Sequence, residues 1–140
     1  IYFGGGTPSL LTVQQLELIL NSIHKNFTIS ENPEITLEAN PDDLSLSYLK
    51  LIRQVGINRL SIGIQTFDDS YLEKLNRAHN RASALQVLPD ARKAGFENIS
   101  IDLMYALPNQ SQAQWLTDLK QAIQLKPEHI SAYTLTIESK

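Results

Sequence analysis

Val55-Gly56-Ile57-Asn58-Arg59-Leu60-Ser61-Ile62-Gly63-Ile64 returns further along the chain as Ala94-Gly95-Phe96-Glu97-Asn98-Ile99-Ser100-Ile101-Asp102-Leu103. In each copy a glycine closes a helical stretch, apolar residues then alternate, and a serine stands at the same place, Ser61 in one and Ser100 in the other. Alternation with a period of two marks a strand with two different faces. Glu34 to Ala39 upstream and His129 to Leu135 downstream extend the pattern, and Ile1 to Phe3 reads as the stub of another strand. No hairpin signal joins any pair of these strands. The connections hold helices instead, which requires the strands to run parallel.

Helix signals fill the gaps. Thr12 with Gln15 forms a capping box for an amphipathic run from Val13 to Lys25. Pro41 breaks the second strand, and Ser45 or Ser47 opens a helix closed by Gly56, with Leu46, Leu49, Ile52 and Val55 on its buried face. Asp68 caps a short helix to about Leu75, and the polar run Asn76 to Asn80 leads into a helix from Arg81 to Ala94, where Pro89 is expected to cause a kink or a break. Ser111 with Gln114 caps the last helix, which runs through Leu125 and stops at Pro127.

Repeated βα units either close into a TIM-type barrel or lie open as a doubly wound sheet. The two faces of the strands decide between them. Ile35/Leu37/Ala39, Leu60/Ile62/Ile64 and Ile99/Ile101/Leu103 make one face apolar, while Thr36/Glu38/Asn40, Ser61/Gly63/Gln65 and Ser100/Asp102/Met104 make the other largely polar. Helices on both sides of an open sheet would demand two apolar faces. One polar face fits a barrel with outer helices and a binding lumen, and it brings Gly4 to Gly6, Glu38, Gln65 and Asp102 to one mouth.

The composition narrows the function. A chain of 140 residues, 42% hydrophobic, is the size of one domain with a real core. A net charge of −3 without any run of Lys or Arg gives nucleic acid no electrostatic footing. No apolar stretch approaches the roughly 20 residues of a membrane span, and no leader pattern is seen, so a soluble, cytoplasmic protein is expected. The absence of cysteine excludes disulfides and thiolate metal sites in these residues, and three dispersed histidines make no metal-ligand cluster. The chain opens on Ile1, inside a strand, and reads as a fragment of a longer protein.

Gly4-Gly5-Gly6-Thr7-Pro8 stands directly after the apolar pair Tyr2-Phe3. It lacks the Lys-Ser/Thr pair of a P-loop and the spacing of a dinucleotide fingerprint. Such glycines either make a tight strand-to-loop turn without a ligand or offer bare amides and carbonyls to a small polar group. Glu38 and Asp102 likewise admit two readings. They are either solvated or paired with Arg77 or Arg59, or they form with Gln65 a cage for a ligand that bears hydroxyls and a positive charge. Arg77 is either solvated in its loop or clamps a carboxylate bidentately, and Tyr133 points inward by strand parity. His79 reads as a helix-entry or surface residue, and Trp115, Tyr48 and Tyr71 as packing aromatics.

Six ordered motifs carry a resemblance over the whole chain: Gly4-Gly5-Gly6-Thr7-Pro8-Ser9, Glu38-Ala39-Asn40-Pro41, Leu60 to Phe67, Asn76-Arg77-Ala78-His79-Asn80, Ile101 to Pro108, and Ser131 to Glu138. Together they resemble the radical S-adenosylmethionine (SAM) proteins of the oxygen-independent coproporphyrinogen III oxidase family, and their wording is nearer to its haem-chaperone branch. The resemblance implies an α/β fold, the incomplete (β/α)6 TIM-type barrel, of which residues 1–140 would be a single piece holding strands two to six. It implies SAM and a [4Fe-4S] cluster as cofactors. Gly5 would bind the methionine amino group and Glu38 the ribose, while Gly6, Thr7, Gln65, Arg77, Asp102 and Thr136 match positions that hold a second SAM in the oxidase. The three cluster cysteines, spaced C-x3-C-x2-C, would lie upstream of Ile1, and a carboxy-terminal domain would select haem or porphyrinogen. An electron donor for the cluster is the other implied partner. The implied activities are haem delivery or, alternatively, oxidative decarboxylation of porphyrinogen propionates. An ordinary parallel βα protein of sugar or phosphate metabolism is the third reading. Ala106 departs from the family's usual glycine before Leu107-Pro108, which points to an altered turn there.

Overall fold

The computed structural model describes residues 1–135. Five parallel strands lie side by side in chain order: β1 (Tyr2–Phe3), β2 (Thr36–Ala39), β3 (Arg59–Gln65), β4 (Asn98–Tyr105) and β5 (His129–Thr134). A doubly wound sheet reverses its strand order part-way across. Here the order never reverses, and because parallel crossovers are right-handed, every connection falls on the same side, as in the arc of a barrel. The connecting helices are α1 (Val13–Asn26), α2 (Leu46–Gln54), α3 (Asp69–Lys74), α4 (Arg81–Lys93) and α5 (Gln112–Leu125).

The two copies of the internal echo are neighbours in the sheet: Leu60 pairs with Ile99, Ser61 with Ser100 and Ile62 with Ile101. Their apolar residues, with Leu37 and Ala39 of β2, meet Leu16 and Leu20 of α1, Leu49 and Ile52 of α2, Ala84, Val87, Leu88 and Ala91 of α4, and Ala122 of α5 in one buried cluster. Each fully buried Leu or Ile contributes about 1.5–3 kcal/mol of apolar burial, so this helix-facing side is where the fold's stability resides. At the amino ends of the strands, Arg92 reaches both carboxylate oxygens of Glu128, at 2.7 and 2.8 Å, and Glu128 accepts from the Ile99 amide at 2.9 Å. That anchor ties α4, β4 and the entry to β5 together, far from the mouth.

Thr12 with Gln15 and Ser111 with Gln114 form complete capping boxes. Ser45 caps α2 by accepting from the Tyr48 amide, and Asn80 with Ser83 forms a further box at α4. Pro89 neither breaks nor ends α4, which runs through it to Lys93. Pro89 is exposed, so the missing donor lies on the solvent side of the helix. Met104, grouped with the polar face by strand parity, packs instead with Tyr71 and Leu107 in a small second cluster at the mouth. Trp115 lies against Tyr105 with ring centroids 5.7 Å apart, and Tyr48 donates to the Leu11 carbonyl, both packing roles. Among the described residues no helix is long and apolar enough to cross a membrane.

Ala106, just past β4, has φ of 55°, a left-handed conformation in which its methyl group is strained. Relief of that strain outweighs the extra unfolded-state entropy of glycine, so Ala106→Gly is expected to stabilise the fold by about 0.5–1 kcal/mol. Urea denaturation of both proteins measures this, and an unchanged or lowered midpoint would show the turn to be relaxed as it stands.

Candidate functional site

The mouth is built from the segments that leave the carboxyl ends of the strands. After β1 come the glycines, after β2 the Asn40-Pro41 turn, after β3 the Gln65-Thr66 turn, and α3 leads into the loop that carries Arg77. These segments and the polar face of the sheet enclose a cavity of about 270 Å³. Gly6, Thr7, Glu38, Gln65, Arg77 and Asp102 all line it, together with Tyr133. Gly5 does not line the cavity itself; it stands behind Glu38, to whose Oε2 its amide donates at 3.1 Å. Thr136 lies outside the described residues.

The glycines serve different ends. Gly5 and Gly6 have φ of +82° and +63°, and a Cβ on either would meet nothing within 4 Å. Backbone conformation, not crowding, therefore requires glycine there in the ligand-free protein. Gly4 is the crowded one, since its Cβ would stand 2.7 Å from Tyr2 Cε1 and 3.0 Å from Glu38 Oε1. Gly63 keeps the cavity floor open in the same way, with Gln65 Nε2 2.8 Å from where its Cβ would be.

Glu38 and Asp102 are not paired with arginine. Glu38 accepts from the Tyr2 hydroxyl at 2.7 Å and from Gly5, and among the described residues no salt bridge reaches either carboxylate. Arg59 is turned to Thr36 Oγ1 at 3.2 Å and Glu34 at 3.8 Å. Among the described residues Arg77 clamps no carboxylate either, and it donates to the Asn40 side-chain oxygen at 3.1 Å. Burial, and next the charge of Glu38, push the Asp102 carboxyl above its usual range, with His129 and Arg59 offsetting part of the effect. Tyr133 donates to Gln65 Oε1 at 2.8 Å, and burial with the nearby Asp102 charge raises its phenol. The cavity therefore holds two carboxylates without an ion pair among the described residues, beside the Arg77 guanidinium and amide and hydroxyl donors, a setting for a ligand that carries positive charge and hydroxyl groups.

His79 stands at the entry to α4, directly before the Asn80 cap, as one of its two expected places, but it is not at the surface: it is 4% exposed, with Nε2 3.1 Å from the Ile64 carbonyl. Its polar neighbours hid this, because a polar run before a helix carries no periodicity from which burial can be read. The carbonyl fixes a proton on Nε2 and leaves Nδ1 without a hydrogen-bond partner, 3.7 Å from Asp42 Oδ1. Asp118 was likewise not legible: α5 presents it as one more polar helix residue, but it is buried and accepts from Thr66 Oγ1 at 2.7 Å and the Phe67 amide at 3.0 Å.

The chain belongs to the radical SAM superfamily, whose family model matches residues 1–122. Within it, the chain is 43% identical over 141 aligned positions to "Heme chaperone HemW" of Bacillus subtilis (strain 168), which covers all of this chain and 37% of that protein. It is 38% identical over 133 residues to "Oxygen-independent coproporphyrinogen III oxidase" of Synechocystis, covering 95% of this chain and 28% of that protein. Among solved structures, coproporphyrinogen III oxidase (HemN) from Escherichia coli superposes with a TM-score of 0.88 at 32% identity, over 96% of this chain and 31% of that one. The chain thus spans about a third of the length of the curated relatives it matches.

His79 also gives stability a pH dependence of definite sign. Burial pushes its imidazole below the usual 6.5; the Ile64 carbonyl and Asp42 pull upward, and Arg77 adds to the depression. The unfolded chain takes up a proton near 6.5 that the folded protein refuses. The stability due to neutral His79 is therefore complete above that value and lost as pH falls from it toward the lower folded pKa. Asp102 and Asp118 titrate with and without His79 and cancel in a comparison. From about pH 7 to about pH 5 the protein should lose stability relative to His79→Gln, as read by urea denaturation. Parallel stability curves would contradict this.

Proposed function

We propose that the cavity is a SAM site, and that the chain is the core of a [4Fe-4S]-dependent radical SAM protein of haem metabolism, a haem chaperone of the HemW kind. One observation carries the ligand reading: Glu38 and Asp102 face one cavity without a cationic side chain paired to either among the described residues. SAM brings a sulfonium, an ammonium and two ribose hydroxyls, which answer those charges. In this reading Glu38 accepts from the ribose hydroxyls and the main chain at Gly5 meets the methionine amino group. Gly6, Thr7, Gln65, Arg77 and Asp102, which line the cavity, would serve a second SAM, and Thr136, outside the described residues, is assigned to it on the resemblance alone.

The cluster is a different matter. The 140 residues contain no cysteine, so they do not hold iron and sulfide themselves. We place its three thiolate ligands upstream of Ile1, on the loop after a first barrel strand, with residues 1–140 supplying strands two to six. When bound, the cluster supplies one-electron cleavage of the SAM sulfonium. The residues of this chain bind and orient the nucleoside. An electron donor for the cluster and haem, held through a domain beyond this chain, complete the proposed partners, and the proposed location is the cytoplasm.

The chaperone reading is supported by relatives bearing that name at 42–43% identity. The second reading, a coproporphyrinogen III oxidase, is supported by the Synechocystis relative and the HemN superposition. Porphyrinogen turnover by the full-length protein separates the two.

In the full-length protein, anaerobically reconstituted, Glu38→Ala should weaken SAM binding by about 1.5–3 kcal/mol, the worth of charge-assisted hydrogen bonds. Cluster content should be unchanged, and calorimetric titration measures the loss. Unchanged affinity in the folded variant would return Glu38 to a purely structural bond with Tyr2 and Gly5.

A further inference from the structure

Gln65 is 3% exposed and has φ of 68°, a conformation strained for any residue but glycine. The Thr66 amide bonds the Ile64 carbonyl at 2.9 Å across it, closing a three-residue turn, and the register of β3 with β4 shifts at the same point. The turn folds the Gln65 amide back over Gly63, onto the cavity floor. Strain of this kind persists only where the surroundings over-determine it.

Two buried groups that do not line the cavity supply that determination from behind. His79 Nε2 donates to the Ile64 carbonyl, on the amino side of the strained residue, and Asp118 accepts from the Thr66 hydroxyl and the Phe67 amide, on its carboxyl side. His79 also stands two residues after Arg77, whose guanidinium reaches Asn40 across the mouth. One imidazole thus anchors both the turn that carries Gln65 and the loop that carries Arg77.

We infer that His79 and Asp118 are positioning residues for the cavity, a two-sided clamp that holds Gln65 in its strained turn and so sets how tightly the cavity takes its ligand. Neither touches the ligand; both act through Gln65, and His79 also through Arg77. The choice of SAM as probe rests on the functional reading above, whereas the clamp itself rests on the geometry.

The test uses the full-length protein with His79→Leu, His79→Gln and Asp118→Asn, each crystallised without ligand and titrated calorimetrically with SAM after reconstitution. In His79→Leu, Gln65 should relax to negative φ and SAM affinity of the folded protein should fall about tenfold, the worth of one buried hydrogen bond. His79→Gln, whose amide N–H reaches the same carbonyl, should keep positive φ and stay within about threefold of the wild type. Asp118→Asn, left with one carbonyl oxygen for two donors, should bind several-fold more weakly. Gln65 still near φ 68° in His79→Leu, or wild-type affinity in both His79→Leu and Asp118→Asn, overturns the clamp. If His79→Leu does not fold, failure of the His79→Gln rescue, or wild-type affinity in Asp118→Asn, overturns it equally. If the wild type itself takes up no SAM, the functional reading falls, and the conformation of Gln65 in the variants alone decides the clamp.

Discussion

Leu60, Ile62 and Ile64 can be buried against the helices only if Ser61 and Gly63 turn the other way, because side chains alternate across a strand. The same constraint turns Glu38 away from Leu37 and Ala39, and Asp102 away from Ile101 and Leu103. Parallel pairing in unbroken order then sets these second faces side by side. A single choice of register therefore builds the core on one side of the sheet and the polar cavity on the other. A slip of one residue in β3 would put Ser61 among the helices and Leu60 in the lumen.

The core and the mouth carry opposite costs. On the helix side the apolar cluster supplies the stability, and the partly exposed Arg92–Glu128 pair adds a smaller tie at the amino ends of the strands. At the mouth the chain tolerates two carboxylates without an ion pair among the described residues, consecutive glycines with positive φ, and a strained buried glutamine. Each is unfavourable for folding alone. They stand together at the carboxyl ends of the strands, where loops can vary without disturbing the barrel wall. The energetic asymmetry is itself an argument that the mouth is shaped for a ligand.

Local signals in the sequence were enough to set the strands, the helix caps and the placement of Glu38, Gln65 and Asp102 at one mouth, because period-two alternation and capping chemistry act over a few residues. The six motifs made the family legible as well. Three things were not legible. Pro89 carries a signal for a kink or a break, and the break does not occur: α4 runs through it because the lost donor faces solvent. His79 and Asp118 owe their burial to partners fifteen and about fifty residues away, Ile64, Thr66 and Phe67, and no local pattern records such a contact. The partners of Glu38 and Arg77 are of the same kind: Tyr2 and Asn40 hold them through the third dimension, where charge alone left solvation, an ion pair and a ligand cage all open.

A crystal structure of the full-length protein with SAM, grown anaerobically, tests the central claim most directly. The nucleoside is expected in the cavity, with its ribose hydroxyls on the Glu38 carboxylate and its methionine amino group against the main chain at Gly5. SAM bound elsewhere, with Glu38 still held only by the Tyr2 hydroxyl and the Gly5 amide, would contradict it.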